Sequence, residues 1–122
     1  MSNEDFKREL IRRSYRFSLE IMSFIDIFPK REFSLEILAK QLLRSATSIG
    51  ANIIEAQASS SKKDFINFIH HSLKSANETK YWLGLLRDSG KVDREKGNKL
   101  LKEAIELSNI LGSSLLSLKG KK

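Results

Sequence analysis

The chain has 122 residues, 40% of them hydrophobic, no cysteine, and 22 Lys plus Arg against 15 Asp plus Glu, a formal net charge of +7. Such a chain fits one domain with a modest core, and the lack of thiols excludes disulfides, thiolate catalysis and zinc ribbons. No stretch approaches the roughly 18 apolar residues of a membrane span, and acidic residues stand where a signal peptide needs a basic start, so a soluble cytoplasmic protein is expected. The positive excess suits phosphate backbones or acidic partners, and it is uneven: residues 1–31 carry +2, 32–61 carry −1, 62–90 carry +2 and 91–122 carry +4.

The first helix is predicted over about Glu4 to Phe28. Phe6, Leu10, Phe17, Ile21, Phe24 and Phe28 recur at spacings of 3, 4 or 7, the period of a helix with one buried face. Pro29, without an amide proton, ends it. Arg8, Arg12 and Arg16 follow one another at i+4, with Arg13 and Tyr15 beside them. Such a line either tracks phosphates or forms a solvated face of weak ion pairs involving Glu9 and its neighbours.

The second helix, about Ser34 to Gln57 with Ser34 as N-cap, carries two stripes. Leu35, Leu38, Leu42, Ala46, Ile49 and Ile53 form the apolar one. Gln41, Arg44, Ser45, Ser48, Asn52 and Glu55 form a polar one about a third of a turn away. Amides, hydroxyls and two opposite charges, instead of long Lys and Glu residues, suit a packed polar interface. Arg44 and Glu55 lie about 16 Å apart along the helix and cannot bond each other. Glu78 is the expected partner of Arg44, and Lys62, Lys63 or Lys74 that of Glu55.

Ser59-Ser60-Ser61 closes this helix, and Ser61 with Asp64 makes an approximate capping box for a third helix over about Lys62 to Asp88. Phe65, Ile69, Ser72, Ala76, Leu83 and Leu86 mark its core side. Asn67, His71, Lys74 and Glu78 form a polar line expected to meet the second helix. Ser89-Gly90 stops it. A fourth helix, about Asp93 to Leu118, buries Leu101, Ala104, Leu111, Leu115 and Leu118, and a basic tail follows at 119–122. Four helices of about 25 residues joined by short turns predict an all-α fold: one antiparallel up-down-up-down four-helix bundle spanning 1–122.

Catalytic constellations are weak. Adjacent His70 and His71 point about 100° apart and cannot chelate one ion. Neither has a glutamate three positions earlier, as a di-iron bundle requires. Ser48, His71 and Glu55 lack the exposed turn and oxyanion donors of acyl transfer, and the scattered glycines form no phosphate loop. The expectation is a non-enzymatic protein with no metal, cofactor or small-molecule substrate.

The run Gln41-Leu-Leu-Arg-Ser-Ala-Thr-Ser-Ile-Gly-Ala-Asn-Ile-Ile-Glu55, followed by Ser61-Lys-Lys-Asp-Phe-Ile-Asn-Phe68 and Ser75-Ala-Asn-Glu78, resembles the bacterial four-helix-bundle family encoded in intervening sequences of 23S ribosomal RNA genes. The likeness is strong over about Leu35 to Leu86 and rests on helical pattern outside that range. Gly50 stands where members often have proline, which relaxes an expected kink. Ala56 stands where they have glycine, which puts a glycine-dependent helix end in doubt. The resemblance implies closed rings, typically pentamers, and kinship with accessory subunits of diversity-generating retroelements that bind a reverse transcriptase and nucleic acid. Ser45, Ala46, Ser48, Gly50 and Ala51 are small enough for close helix approach, and a pentamer would gather about +35.

Two functions follow. One is a homo-oligomeric ring binding RNA or RNA/DNA with little sequence preference through Arg8, Arg12, Arg13, Arg16, Lys119, Lys121 and Lys122. In it Gln41, Arg44, Ser45, Ser48, Asn52, Glu55 and Glu78 hold the hairpin or ring geometry. The other is a scaffold or accessory subunit that binds a partner protein without touching nucleic acid. The sequence contains no RNA-reading motif with stacking aromatics, so base specificity has no support.

Overall fold

The computed structural model describes residues 3–120. These form four helices, α1 (Asn3–Asp26), α2 (Phe33–Gln57), α3 (Lys62–Asp88) and α4 (Arg94–Leu118), and no strand is present among them. Each helix packs on two others, α1 and α3 both touching α2 and α4, without close backbone approach across the diagonals. The result is a four-helix bundle whose sparsest seam lies between α1 and α4.

The apolar stripes meet on the bundle axis. Phe17, Ile21, Leu35, Leu42, Ile49, Ile53, Leu83, Leu86, Leu107 and Leu111 are fully buried, each worth about 1.5–3 kcal/mol relative to exposure. Small residues set the helix spacing. Ser14 is buried against Gly50, where an added Cβ would sit 3.2 Å from its Oγ. Gly97 lies under Arg87 and Phe24 less tightly, an added Cβ there meeting them at 3.6 and 3.7 Å. α2 and α3 share a buried hydroxyl seam: Thr79 Oγ1 lies 2.9 Å from Ser45 Oγ, and Ser72 Oγ donates to the Ile49 carbonyl at 2.8 Å.

The helix ends obey local chemistry, with two departures from the sequence reading. α1 stops at Asp26, two residues before Phe28, because Phe28 folds back under the helix end. Its ring meets Phe24 edge-on at 4.9 Å, and its amide donates to the Ile25 carbonyl. α2 starts at Phe33 with Glu32 in the N-cap position and no side-chain cap, so Ser34 is not the cap. The cause is Arg31, whose φ of 66° turns the chain in the left-handed region and brings it into helix one residue early. Ser34 Oγ instead accepts from Lys91 Nζ at 3.4 Å.

Ser61 caps α3 by accepting from the Asp64 amide at 3.1 Å, and Asp93 caps α4 by accepting from the Lys96 amide at 3.1 Å. α2 runs through Ala56, which is buried, and closes on backbone bonds from Ala58 and Ser59. Gly90, at φ 74°, supplies the left-handed residue of the α3–α4 turn.

Candidate nucleic-acid interface

The α1–α4 seam opens into a groove of about 770 Å³. α1 contributes Arg13, Arg16, Leu19 and Glu20, Ile27 follows just beyond its end, and α4 contributes Lys96, Lys99, Lys102, Glu103 and Glu106. One clamp crosses it. Arg13 donates through Nε and Nη2 to both Glu103 oxygens at 2.7 and 2.8 Å, and through Nη2 to Glu106 at 2.5 Å. The hydrogen bond to Glu103, joined by the charges of both carboxylates, holds the Arg13 guanidinium above its ordinary pKa despite partial burial. Arg13 is therefore already neutralised by its own bundle.

The rest of the arginine line divides. Arg12 makes an exposed bidentate pair with Glu9. Arg8 and Arg16 are exposed and make no ion pair among the described residues. Arg16 faces Lys96, Lys99 and Lys102 across the groove, all exposed and likewise outside the ion pairs. With the remaining groove acids held by Arg12 and Arg13, Glu20 is the single carboxylate set against these four cations. Field lines from like charges flanking a low-dielectric groove converge there, which raises the local concentration of anions.

The polar stripe of α2 lies elsewhere. Arg44 pairs with Glu78, as expected, and also donates to Gln41 Oε1 at 3.0 Å. Glu78 in turn accepts from Trp82 Nε1 at 3.0 Å. Ser48 and Asn52 bond backward to their own helix, Ser48 Oγ to the Arg44 carbonyl at 2.7 Å and Asn52 Nδ2 to the Ser48 carbonyl at 2.8 Å.

The model of the family described as 23S rRNA-intervening sequence protein matches residues 7–113. The chain belongs to that family. A solved structure from the S23 ribosomal protein family of Bacteroides thetaiotaomicron VPI-5482, of unknown function, is 36% identical. The match covers 89% of this chain and 96% of that one, with a TM-score of 0.81. No curated protein matches.

Within this family member, the motif residues split by role. Ser45 is fully buried against Thr79 and joins α2 to α3 in the chain's own interior. Gly50 likewise receives Ser14 of α1. Glu55 is exposed and pairs with none of Lys62, Lys63 or Lys74, because its position at the end of the stripe points it to solvent. Of the α3 polar line only Glu78 reaches α2, while Asn67, His71 and Lys74 are exposed. Lys119 is exposed just beyond α4; Lys121 and Lys122 lie outside the described residues. The sequence reading missed Lys96, Lys99 and Lys102, whose signal was their three-residue spacing within the most basic quarter of the chain.

Proposed function

We propose that this family member is a non-enzymatic bundle that assembles into a ring and binds RNA or an RNA/DNA hybrid with little sequence preference, using the α1–α4 groove. One observation carries the reading: Arg16, Lys96, Lys99 and Lys102 line one groove against Glu20 alone, while Arg13 and Arg12 are occupied by carboxylates. The up-down-up-down order is supported by the α2–α3 pairs, since Ser45 meets Thr79 and Ile49, further along α2, meets Ser72, further back on α3. Among the described residues no helix is long and apolar enough to cross a membrane.

Anisotropy with a structured RNA hairpin across a salt series tests the proposal. Four cations in contact with phosphates give a log-log slope of about −3 to −4 per site. Replacing Lys96, Lys99 and Lys102 together by alanine flattens that slope by about 2–3 and leaves the fold intact. Binding that is weak and salt-independent in the unmodified chain refutes it.

A second reading, a scaffold that binds itself or another protein, is favoured by exposed apolar side chains where α1 meets α2: Phe33 is 79% exposed and Ile27 62%. The salt series separates the two, and light scattering tests the ring itself. The ring requires a single assembly larger than a dimer, and Phe33→Ser reduces it if this end forms the contact.

A further inference from the structure

We propose that the outer face of α3 is a track for single-stranded nucleic acid, with Tyr81 as its stacking platform. Lys63, Asn67, His70, Lys74, Asn77 and Tyr81 are spaced 4, 3, 4, 3 and 4 and are all exposed. They form one straight row on the side of α3 opposite buried Ile69, Ser72, Ala76, Thr79 and Leu83. The row contains no carboxylate, and neither lysine takes part in an ion pair among the described residues. A helix face that is merely solvated mixes Glu with Lys, because i to i+4 pairs stabilise it; this one offers cations, amides, an imidazole and a phenol ring.

The aromatic end is built. Tyr81 is 62% exposed, yet its ring rests edge-on against Trp82, centroids 5.2 Å apart at 67°. Trp82 is half-buried and donates from Nε1 to Glu78, which also holds Arg44 of α2. The exposed ring is thus propped on a side chain anchored to two helices, so little freedom is lost when a base stacks on it.

The chemistry selects a single strand. A duplex hides its base faces and gives Tyr81 nothing to stack on, whereas an unpaired strand offers a π-face at every nucleotide, with phosphates within reach of lysines and base edges within reach of amides. From Lys63 to Tyr81 the row runs about 27 Å, comparable to the footprint of a few nucleotides in single-strand binders. An acidic peptide would satisfy Lys63 and Lys74 but leave Tyr81 without a role.

The test uses the full chain with a fluorescein-labelled oligo-dT of about 15 nucleotides, read by anisotropy and by the emission of Trp82, the only tryptophan. A duplex of the same length serves as control. The expected result is a perturbed Trp82 emission on adding oligo-dT. Tyr81→Ala weakens binding about tenfold or more, and Tyr81→Phe, which keeps the ring, stays within about twofold. Lys63→Ala with Lys74→Ala lowers the salt slope by about 1–1.5. Thermal melting confirms that each variant folds. The groove variant lacking Lys96, Lys99 and Lys102 separates this track from the α1–α4 proposal: retained, Tyr81-dependent oligo-dT binding upholds the track even if hairpin binding fails. Tyr81→Ala binding that equals wild type, or a loss of the same size on the duplex, overturns it.

Discussion

Arg13 decides whether the arginine line of α1 is a binding surface or a structural clamp, and its replacement by methionine separates the two. Methionine keeps much of the apolar stem and removes the guanidinium. The pair with Glu103 is substantially sheltered, its side chains 29% and 23% exposed, whereas Glu106 is 63% exposed. The sheltered, charge-assisted pair lies between an exposed bridge of about 0.2–1 kcal/mol and a buried pair whose disruption costs about 3–5 kcal/mol. About 1.5 kcal/mol is reasonable for Glu103, with a few tenths more for Glu106. Unshielded repulsion between Glu103 and Glu106, three residues apart on one helix, adds about 0.2–0.5 kcal/mol. The total, about 2 kcal/mol, lowers the Tm by roughly 8 °C in a domain of this size. Urea or thermal unfolding of Arg13→Met, Glu103→Gln and the double variant measures it, and the cycle returns a coupling of about 1 kcal/mol or more. Nucleic-acid affinity of the folded Arg13→Met variant falls modestly, because the released Glu103 and Glu106 carboxylates oppose the groove lysines, and adding Glu103→Gln and Glu106→Gln returns it to within about twofold of the unmodified chain. A cost below about 0.5 kcal/mol together with a large loss of binding refutes the clamp and returns Arg13 to the binding surface.

The polar seams supply further tests. Glu78→Ala unpairs Arg44 and removes the acceptor of Trp82 Nε1; because Arg44 is more than half exposed, the loss is only about 1 kcal/mol, and Trp82 emission shifts. Thr79→Val leaves Ser45 with the Leu42 carbonyl alone and costs about 1 kcal/mol by urea unfolding. Arg31→Gly relieves the left-handed residue before α2 and raises stability by up to about 1 kcal/mol; a lower Tm counts against strain there. The Asp88 carboxyl is held below its ordinary pKa first by the hydrogen bond from Arg87, with the charges of Arg87 and Arg94 adding to it. Its contribution is therefore present above about pH 4 and lost as pH falls through the lowered folded value. Amide protection factors at the α3 C-terminus, taken relative to intrinsic exchange at each pH, fall below that pH, and Asp88→Asn removes this acid dependence.

Local chemistry was the most legible part of the sequence. Period-3.6 apolar residues such as Phe17, Ile21, Leu42 and Leu83 went to the core because burial rewards each one separately, and Ser61 capped α3 because the Asp64 amide that donates to it lies three residues away. The Arg44–Glu78 pair was also visible, as the turn between α2 and α3 is short and folds nearby residues together. Helix two's start was not, since it depends on a left-handed Arg31, a conformation no arginine advertises. Nor was the Arg13 clamp, whose carboxylates stand 90 and 93 residues away on a helix that periodicity places only as a neighbour. The same blindness hid the groove. Lys96, Lys99 and Lys102 carry no signal of a site in the sequence beyond their spacing, and only packing sets Arg16 opposite them.

Net charge alone locates no surface; what matters is which charges are already neutralised. Lys7, Arg12, Arg13, Lys40, Arg44, Arg87, Lys91 and Arg94 are tied to eight carboxylates: Glu4, Glu9, Glu32, Glu36, Glu78, Asp88, Glu103 and Glu106. These pairs cancel, so the whole excess of +7 resides on the other side chains. Those include Arg16 with Lys96, Lys99 and Lys102 at the groove, and Lys63 and Lys74 on the outer row of α3. α1 packs loosely on α4, and that looseness is why the groove cations meet so few acids: the carboxylates able to reach across were taken by Arg13. The clamp that holds the sparse seam together thus also leaves its neighbours unneutralised. Breaking it with Glu103→Gln and Glu106→Gln should destabilise the bundle and, in the molecules that remain folded, strengthen polyanion binding. Those two effects of opposite sign would not occur together if the groove were only a solvated surface.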